Sequence, residues 1–184
     1  MLAIHKIRKN HPDKHTSIEV SNFNFLDIET TGLRPDRGAK ITEIAILNRN
    51  NLEFIWPEEI DIDTQQIHRQ LPTIYRRLQT GVIVGHNLSF DFWFLSHECE
   101  KYCIETPSLR FIDTLSLSRK LIPGLTCYKL EDLIAVFDIK VLGKLHTAVT
   151  DAEATRALFW KLVEKGGIST VGEAGMKKLN WSSF

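Results

Sequence analysis

The chain has 184 residues, and its 23 basic and 23 acidic side chains give a formal net charge of zero. This length fits one compact domain. The composition, 43% hydrophobic and 25% charged, is typical of a globular protein, and no apolar run approaches the roughly 20 residues that span a bilayer. We therefore expect neither a membrane span nor the strongly basic balance of a passive nucleic-acid binder. A neutral total still allows an acidic metal site beside basic patches.

The two ends of the chain differ from its middle in composition. Residues 1–20 are basic and polar and lack the apolar core of a secretory signal, so we expect a mobile or loosely packed extension that either contacts a phosphate backbone or is simply solvated. Three scattered cysteines fit a reducing compartment, so we expect a cytoplasmic protein. The pattern predicts a main domain over residues 21–166 and a short C-terminal tail over 167–184, whose apolar residues could dock on the domain, on a second copy or on a partner.

The predicted elements begin with strands and then alternate between strand and helix. Apolar or β-branched runs predict strands at 23–26, 41–47, 52–56, 82–84 and 109–112, and the second and third are close enough to form a hairpin across 48–51. Apolar spacings of three and four, together with cap and stop residues, predict helices at 67–78, 89–103, 114–120, 129–137 and 147–165. This order predicts an α/β fold, in which helices cover a mixed sheet.

The first chemical motif is Asp27-Ile28-Glu29-Thr30-Thr31-Gly32-Leu33, at the end of the first strand. Carboxylates two residues apart on a strand point to the same face and repel each other. A divalent cation such as Mg²⁺ or Mn²⁺ would compensate them, and a salt bridge to arginine is the alternative. The Thr-Thr-Gly stretch that follows predicts a tight turn that could approach a ligand closely.

Two further segments place acidic residues at the starts of helices. Asp91 falls in the first turn of the second predicted helix, where it could also simply complement the helix dipole. His146 precedes Asp151 by five residues, which on a helix would rotate the two side chains about 140° apart. We therefore expect His146 on the loop before the last helix, although a helix cap or a surface position remains an alternative.

Other polar residues carry weaker signals. Asp113 is more simply a helix cap than a metal ligand, and Glu43 could face the site from the second strand. For His68 and His86, substrate contact and simple packing both remain open.

Together the three segments resemble the motifs of the DEDDh group of DnaQ-like 3′-to-5′ exonucleases, which includes the epsilon subunit of bacterial DNA polymerase III. The resemblance covers residues 23–165, makes 21–166 an exonuclease domain, and implies a ribonuclease H-like fold with a five-stranded mixed sheet flanked by helices. It implies that two divalent cations, Mg²⁺ or Mn²⁺, are held by Asp27, Glu29, Asp91 and Asp151, and that His146 is the general base. It also implies a pocket for the terminal nucleotide at Thr30, Thr31, Gly32 and Leu33, with Asn87 and Phe90 beside the next nucleotide.

The expected reaction is the release of nucleoside 5′-monophosphates from the 3′ end of a single strand. DNA is favoured over RNA, although the contacts that would read a 2′-hydroxyl are not identifiable. A DNA polymerase and a second copy of the chain are the candidate protein partners. Two other functions stay open, namely a catalytically silent binding or polymerase accessory module and an endonuclease or other phosphoryl hydrolase on the same scaffold. The complete set of acidic residues favours the active exonuclease.

Overall fold

The computed structural model describes residues 12–49, 52–56 and 67–184. Over these residues the strands and helices follow the predicted order, and their bounds fall within a few residues of the prediction. They are β1 (Phe23–Thr30), β2 (Ile41–Leu47), β3 (Leu52–Trp56), α1 (Ile67–Leu78), β4 (Val82–Gly85), α2 (Leu88–Lys101), β5 (Arg110–Asp113), α3 (Thr114–Leu121), α4 (Leu130–Val136), α5 (Ala148–Gly166) and β6 (Lys177–Lys178).

The strands form one mixed sheet in the order β3-β2-β1-β4-β5-β6. β1 pairs in parallel with β4, and β4 with β5, whereas the remaining neighbours are antiparallel. The predicted α/β class and the β2–β3 hairpin are confirmed. The prediction of five strands is wrong by one, because the tail adds β6 to the edge of the sheet. Its two lysines carry no apolar pattern that would predict a strand.

Side chains that alternate along β1 contribute to two separate cores. Leu26 and Ile28 pack on the face covered by α1 and α2, whereas Phe23 and Phe25 pack on the opposite face against α5. Phe23, for example, lies 5.1 Å from the ring centre of Phe159 in α5. Since successive side chains of a strand point to opposite faces, Asp27 and Glu29 point to the same face as Phe25, towards α5. The fold therefore brings these carboxylates to the N-terminal end of α5.

The described residues at both ends of the chain pack on each other and on the domain. Ile18 is 3% exposed, and its backbone N–H donates to the Ser169 carbonyl at 2.9 Å. In the tail Leu179 is buried, and the Trp181 Nε1 donates to the Pro107 carbonyl at 2.6 Å. Ile18 thus anchors this otherwise largely exposed segment to the tail, while residues 1–11 of the predicted extension lie outside the described residues. None of the described helices combines the length and apolar character needed to span a membrane.

Candidate active site

Four acidic residues from three elements meet at the end of the central strand. Asp27 and Glu29 come from β1, Asp91 from the first turn of α2, and Asp151 from the first turn of α5. The pKa of Asp27 is raised well above its usual range, first by burial and then by the charges of Asp91, Asp151 and Glu29. The structure therefore brings together the four carboxylates that were predicted as metal ligands.

The raised pKa values in this cluster show that its carboxylates lack a compensating positive charge among the described residues. Burial is the main cause that raises the pKa of Asp91, to about 8. Burial also raises the pKa values of Glu29 and Asp151. Among the described residues, no salt bridge neutralises any of the four, so the predicted arginine alternative is not observed there. Carboxylates that are pushed towards proton uptake by burial and by each other are the oxygen ligands a divalent cation prefers.

His146 lies on the loop before α5, in the position predicted for it. Its backbone adopts a left-handed conformation with φ of 69°, and its side chain is exposed. The backbone N–H of His146 donates to Asp151 Oδ1 at 3.2 Å, which holds the loop against the helix. Glu29, His146 and Asp151 each offer one potential metal-ligand atom, and these three atoms lie within 4.8 Å of one another. An imidazole in this position can reach a water molecule bound beside the carboxylates.

Glu43 is a fifth carboxylate of the site. It lies directly opposite Glu29 in the pairing of β2 with β1. Its Oε2 accepts a hydrogen bond from the Ala148 backbone N–H at 3.0 Å, so it satisfies one of the free amides at the start of α5. Glu43 thus joins the strand that carries the carboxylates to the helix that carries Asp151. The sequence signal for Glu43 was its position two strand residues from Ile41, which does not reveal a bond to a residue 105 positions away.

The turn after β1 presents an apolar side chain beside the carboxylates. Thr30 Oγ1 donates to the Gly32 carbonyl at 2.7 Å, and Thr31 Oγ1 accepts from the Lys40 backbone N–H at 2.9 Å. Both hydroxyls therefore hold the turn. Leu33 is 78% exposed at its tip. An exposed leucine fixed next to a polar site is a surface on which a flat, apolar group such as a nucleobase can pack.

The loop from β4 to α2 carries the two remaining predicted residues. Asn87 has a left-handed backbone with φ of 66°, and its N–H donates to Asp113 Oδ1 at 2.9 Å. Phe90 is partly buried, with its ring centre 4.9 Å from that of Phe94. Asp113 also accepts from the Leu115 N–H at 3.1 Å, so its predicted role as the cap of α3 is confirmed.

The two histidines left open by the sequence are both packed against neighbours. His86 is largely buried, with Nδ1 2.9 Å from Thr114 Oγ1 and Nε2 donating to the Tyr128 carbonyl at 2.9 Å. Burial lowers the pKa of His86, which favours the neutral ring. The ring of His68 stacks on that of Tyr102 with centres 4.0 Å apart. Both environments are those of packed, structural histidines.

Comparisons with known proteins point to one family. The exonuclease family model, RNase_T, matches residues 51–159, a stretch that begins after the motif at Asp27. The 3′-5′ exonuclease DinG of Bacillus subtilis is 29% identical in an alignment 165 positions long, which covers 78% of this chain and 18% of that protein. The PolC-type DNA polymerase III of Caldanaerobacter subterraneus subsp. tengcongensis is 31% identical in an alignment 189 positions long, which covers 91% of this chain and 13% of that protein. The chain thus spans less than a fifth of the length of these relatives.

Solved structures show the same fold. Exonuclease X, solved in complex with 5′-overhanging duplex DNA, has a TM-score of 0.58 at 23% identity, with 83% of this chain and 98% of that chain covered. Pop2p of S. pombe, solved in a Mg²⁺- and Mn²⁺-bound form, has a TM-score of 0.57 at 16% identity, with 80% and 84% covered. At these identities the likeness establishes the fold, and it confirms the predicted ribonuclease H-like class.

Proposed function

The chain belongs to the exonuclease family, as the motifs predicted, and from that premise we propose that it is a 3′-to-5′ exonuclease acting on single-stranded DNA. The observation that carries this proposal is the cluster of four carboxylates with raised pKa values beside His146. The relatives support it, because DinG is a 3′-5′ exonuclease and exonuclease X was solved with DNA. The product of each cleavage is a nucleoside 5′-monophosphate.

The four carboxylates would hold two divalent cations, Mg²⁺ or Mn²⁺, which fits their oxygen donors and the ions bound in Pop2p. Bound there, the cations supply charge that stabilises the attacking and leaving oxygens of an in-line displacement at phosphorus. Buried Asp91 and half-buried Asp151 fix the positions of their oxygens from two helices, so the site needs little rearrangement before the reaction.

His146 acts as the general base. A neutral imidazole beside the carboxylates can take a proton from the attacking water. The hydrogen bond from the His146 backbone to Asp151 keeps the ring over the carboxylates. The exposure of the side chain leaves the ring free to reach the water and to pass the proton to solvent.

The terminal nucleotide binds at the turn formed by Thr30, Thr31, Gly32 and Leu33. The Leu33 side chain packs against the base, which suits any of the four bases and predicts little sequence preference. Asn87 and Phe90 flank the next nucleotide. The PolC-type relatives support a DNA polymerase as the protein partner, and the three scattered cysteines support a cytoplasmic location.

The test uses 5′-labelled single-stranded DNA and RNA of one sequence with Mg²⁺, Mn²⁺ or EDTA, resolved on a sequencing gel. We expect a metal-dependent ladder that shortens from the 3′ end, with DNA cleaved faster. Faster cleavage of RNA would make the chain an exoribonuclease. Cleavage of neither would favour the silent module on the same fold. Protein with Asp27→Asn, purified in the same way, controls for a contaminating nuclease.

A further inference from the structure

Two adjoining cavities lie beside the proposed active site, and the C-terminal tail forms part of both. The larger, about 530 Å³, lies between the loop at Asn87, helix α3 and β6. The second, about 480 Å³, lies over the first turns of α2. Asn87, Ser89 and Phe184 line both cavities, which therefore adjoin, and we call the two together the groove. Each cavity is large enough for about one nucleotide, since sites for ligands of that size measure roughly 300–1,000 Å³.

Aromatic side chains line the end of the groove nearer the carboxylates. Phe90 and Trp93, one helical turn apart on α2, line the second cavity together with Phe184. Phe184 is 40% exposed, and its ring meets that of buried Phe92 at 62° with centres 6.3 Å apart. One part of the Phe184 ring therefore contacts Phe92, and the exposed part faces the groove. Successive aromatic rings in a groove are surfaces on which nucleobases stack regardless of sequence.

The far end of the groove is basic. Arg119, Lys120 and Lys177 line the larger cavity, and among the described residues none of them forms a salt bridge. The acidic group in the same lining, Asp113, already accepts three hydrogen bonds, from the Asn87 and Leu115 amides and the Ser116 hydroxyl. Outside the lining, hydrogen bonds from Ser169 and Thr170 lower the pKa of Glu173, with a smaller contribution from the charge of Lys120. Because Lys120 is partly compensated in this way, the basic character of this end rests on Arg119 and Lys177.

We propose that this groove binds the single-stranded region that leads into the active site, two or more nucleotides before the 3′ end. The bases stack on Phe184 and Trp93, and the phosphates pass Arg119 and Lys177. The inference rests on the proposed function, because the strand enters the groove from the nucleotide beside Asn87 and Phe90. It gives the C-terminal tail a role in substrate binding that neither the motifs nor the matched family stretch contains.

The test compares a twelve-nucleotide DNA with the 4-nitrophenyl ester of thymidine 5′-monophosphate, which fills only the terminal-nucleotide pocket. For Arg119→Gln/Lys177→Gln we expect the ratio of kcat/KM on the oligonucleotide to kcat/KM on the ester to fall about tenfold or more. Loss of two phosphate contacts should also make the plot of log binding constant against log salt concentration less steep, by about 1.4 in slope. Phe184→Ala should lower the same ratio about fivefold or more.

The matched control is Lys161→Gln/Lys165→Gln, which removes two exposed charges near the far end of α5, about 20 Å along the helix from its start. We expect an unchanged ratio for this control. If the groove variants still cleave the ester and their ratio is unchanged, the proposal that the groove binds the single strand is wrong. If the wild-type protein cleaves neither substrate, the proposed function fails instead. Fluorescence anisotropy with the labelled oligonucleotide in EDTA then tests whether the groove binds DNA. Equal affinity of the wild type and the groove variant would show that it does not.

Discussion

Asp27 and Asp113 lie near the carboxyl ends of strands in the same sheet, yet their surroundings are opposite. The Asp113 carboxylate accepts hydrogen bonds from two backbone amides and one hydroxyl. The Asp27 carboxylate is surrounded by four other carboxylates, and burial and their charges raise its pKa. Donors around a carboxylate make it a structural cap, whereas acidic neighbours create a demand for a cation. The comparison separates the two roles by chemistry that sequence position alone does not reveal.

The largest effect is expected from Asp27→Asn, which keeps the shape of the side chain and removes its charge. We expect cleavage to fall by at least about 10³-fold, because loss of cation charge at the transition state costs several kcal/mol. In EDTA the same variant should melt at a higher temperature than wild type, because carboxylate repulsion is relieved. A gel assay and thermal melting measure the two effects. Undiminished cleavage would show that Asp27 is not a ligand.

His146→Ala tests the base separately from the ligands. We expect kcat to fall by roughly 10²–10⁴, the usual contribution of a positioned base. Binding of Mn²⁺, measured by calorimetry, should stay close to the wild-type value. Because the His146 ring lies near Glu29 and Asp151, the opposite result is informative. Loss of Mn²⁺ affinity would make His146 a ligand and leave the base unassigned.

The acidic cluster should make stability depend on pH and on metal. A carboxyl group whose pKa is raised on folding stabilises the protein fully below its unfolded pKa of about 4, and that contribution is lost as the pH rises through the folded pKa. For Asp91 the folded pKa is about 8. In EDTA we therefore expect the melting temperature to fall as the pH rises from about 5 to about 9.

A bound divalent cation should raise the melting temperature and offset its fall at high pH. At a hundredfold excess over Kd, a bound cation stabilises the folded state by about 2.7 kcal/mol, or roughly 5–11 °C in a domain of this size. The increase should be larger at high pH, where protons no longer compete for the carboxylates. Thermal melting with Mn²⁺ or EDTA across the pH range measures it. An increase that is equal at low and high pH would contradict binding by these groups.

Glu43 is expected to act through α5. Glu43→Ala removes the acceptor of the Ala148 amide, so the helix that carries Asp151 is less firmly positioned. We expect kcat to fall about 10- to 100-fold, the scale of lost support around metal ligands. Glu43→Gln keeps an oxygen acceptor at the same place and should restore most of the rate. Equal losses in both variants would indicate that the charge of Glu43, rather than its hydrogen bond, is required.

The sequence predicted which residues come together in the candidate site better than it predicted the contacts that support them. The order of strands and helices followed from periodicity, and the motifs located Asp27 and His146, because both signals depend on residues close together in the chain. The bond of Glu43 to Ala148 and the pairing of β6 with β5 connect distant residues. Periodicity does not register such contacts, and the two lysines of β6 form a strand only because the anchored tail places them beside β5.

The smallest effect is expected from Asp113→Ala, which completes the comparison with Asp27. Loss of a helix cap typically costs about 1 kcal/mol, or roughly 2–4 °C in a domain of this size. In EDTA the melting temperature should therefore fall for Asp113→Ala and rise for Asp27→Asn. The increase produced by Mn²⁺ should persist in Asp113→Ala, because its carboxylate is already satisfied by amide and hydroxyl donors. If that increase disappears instead, Asp113 belongs to the metal site, and hydrogen-bond donors around a carboxylate do not separate a cap from a ligand in this sheet.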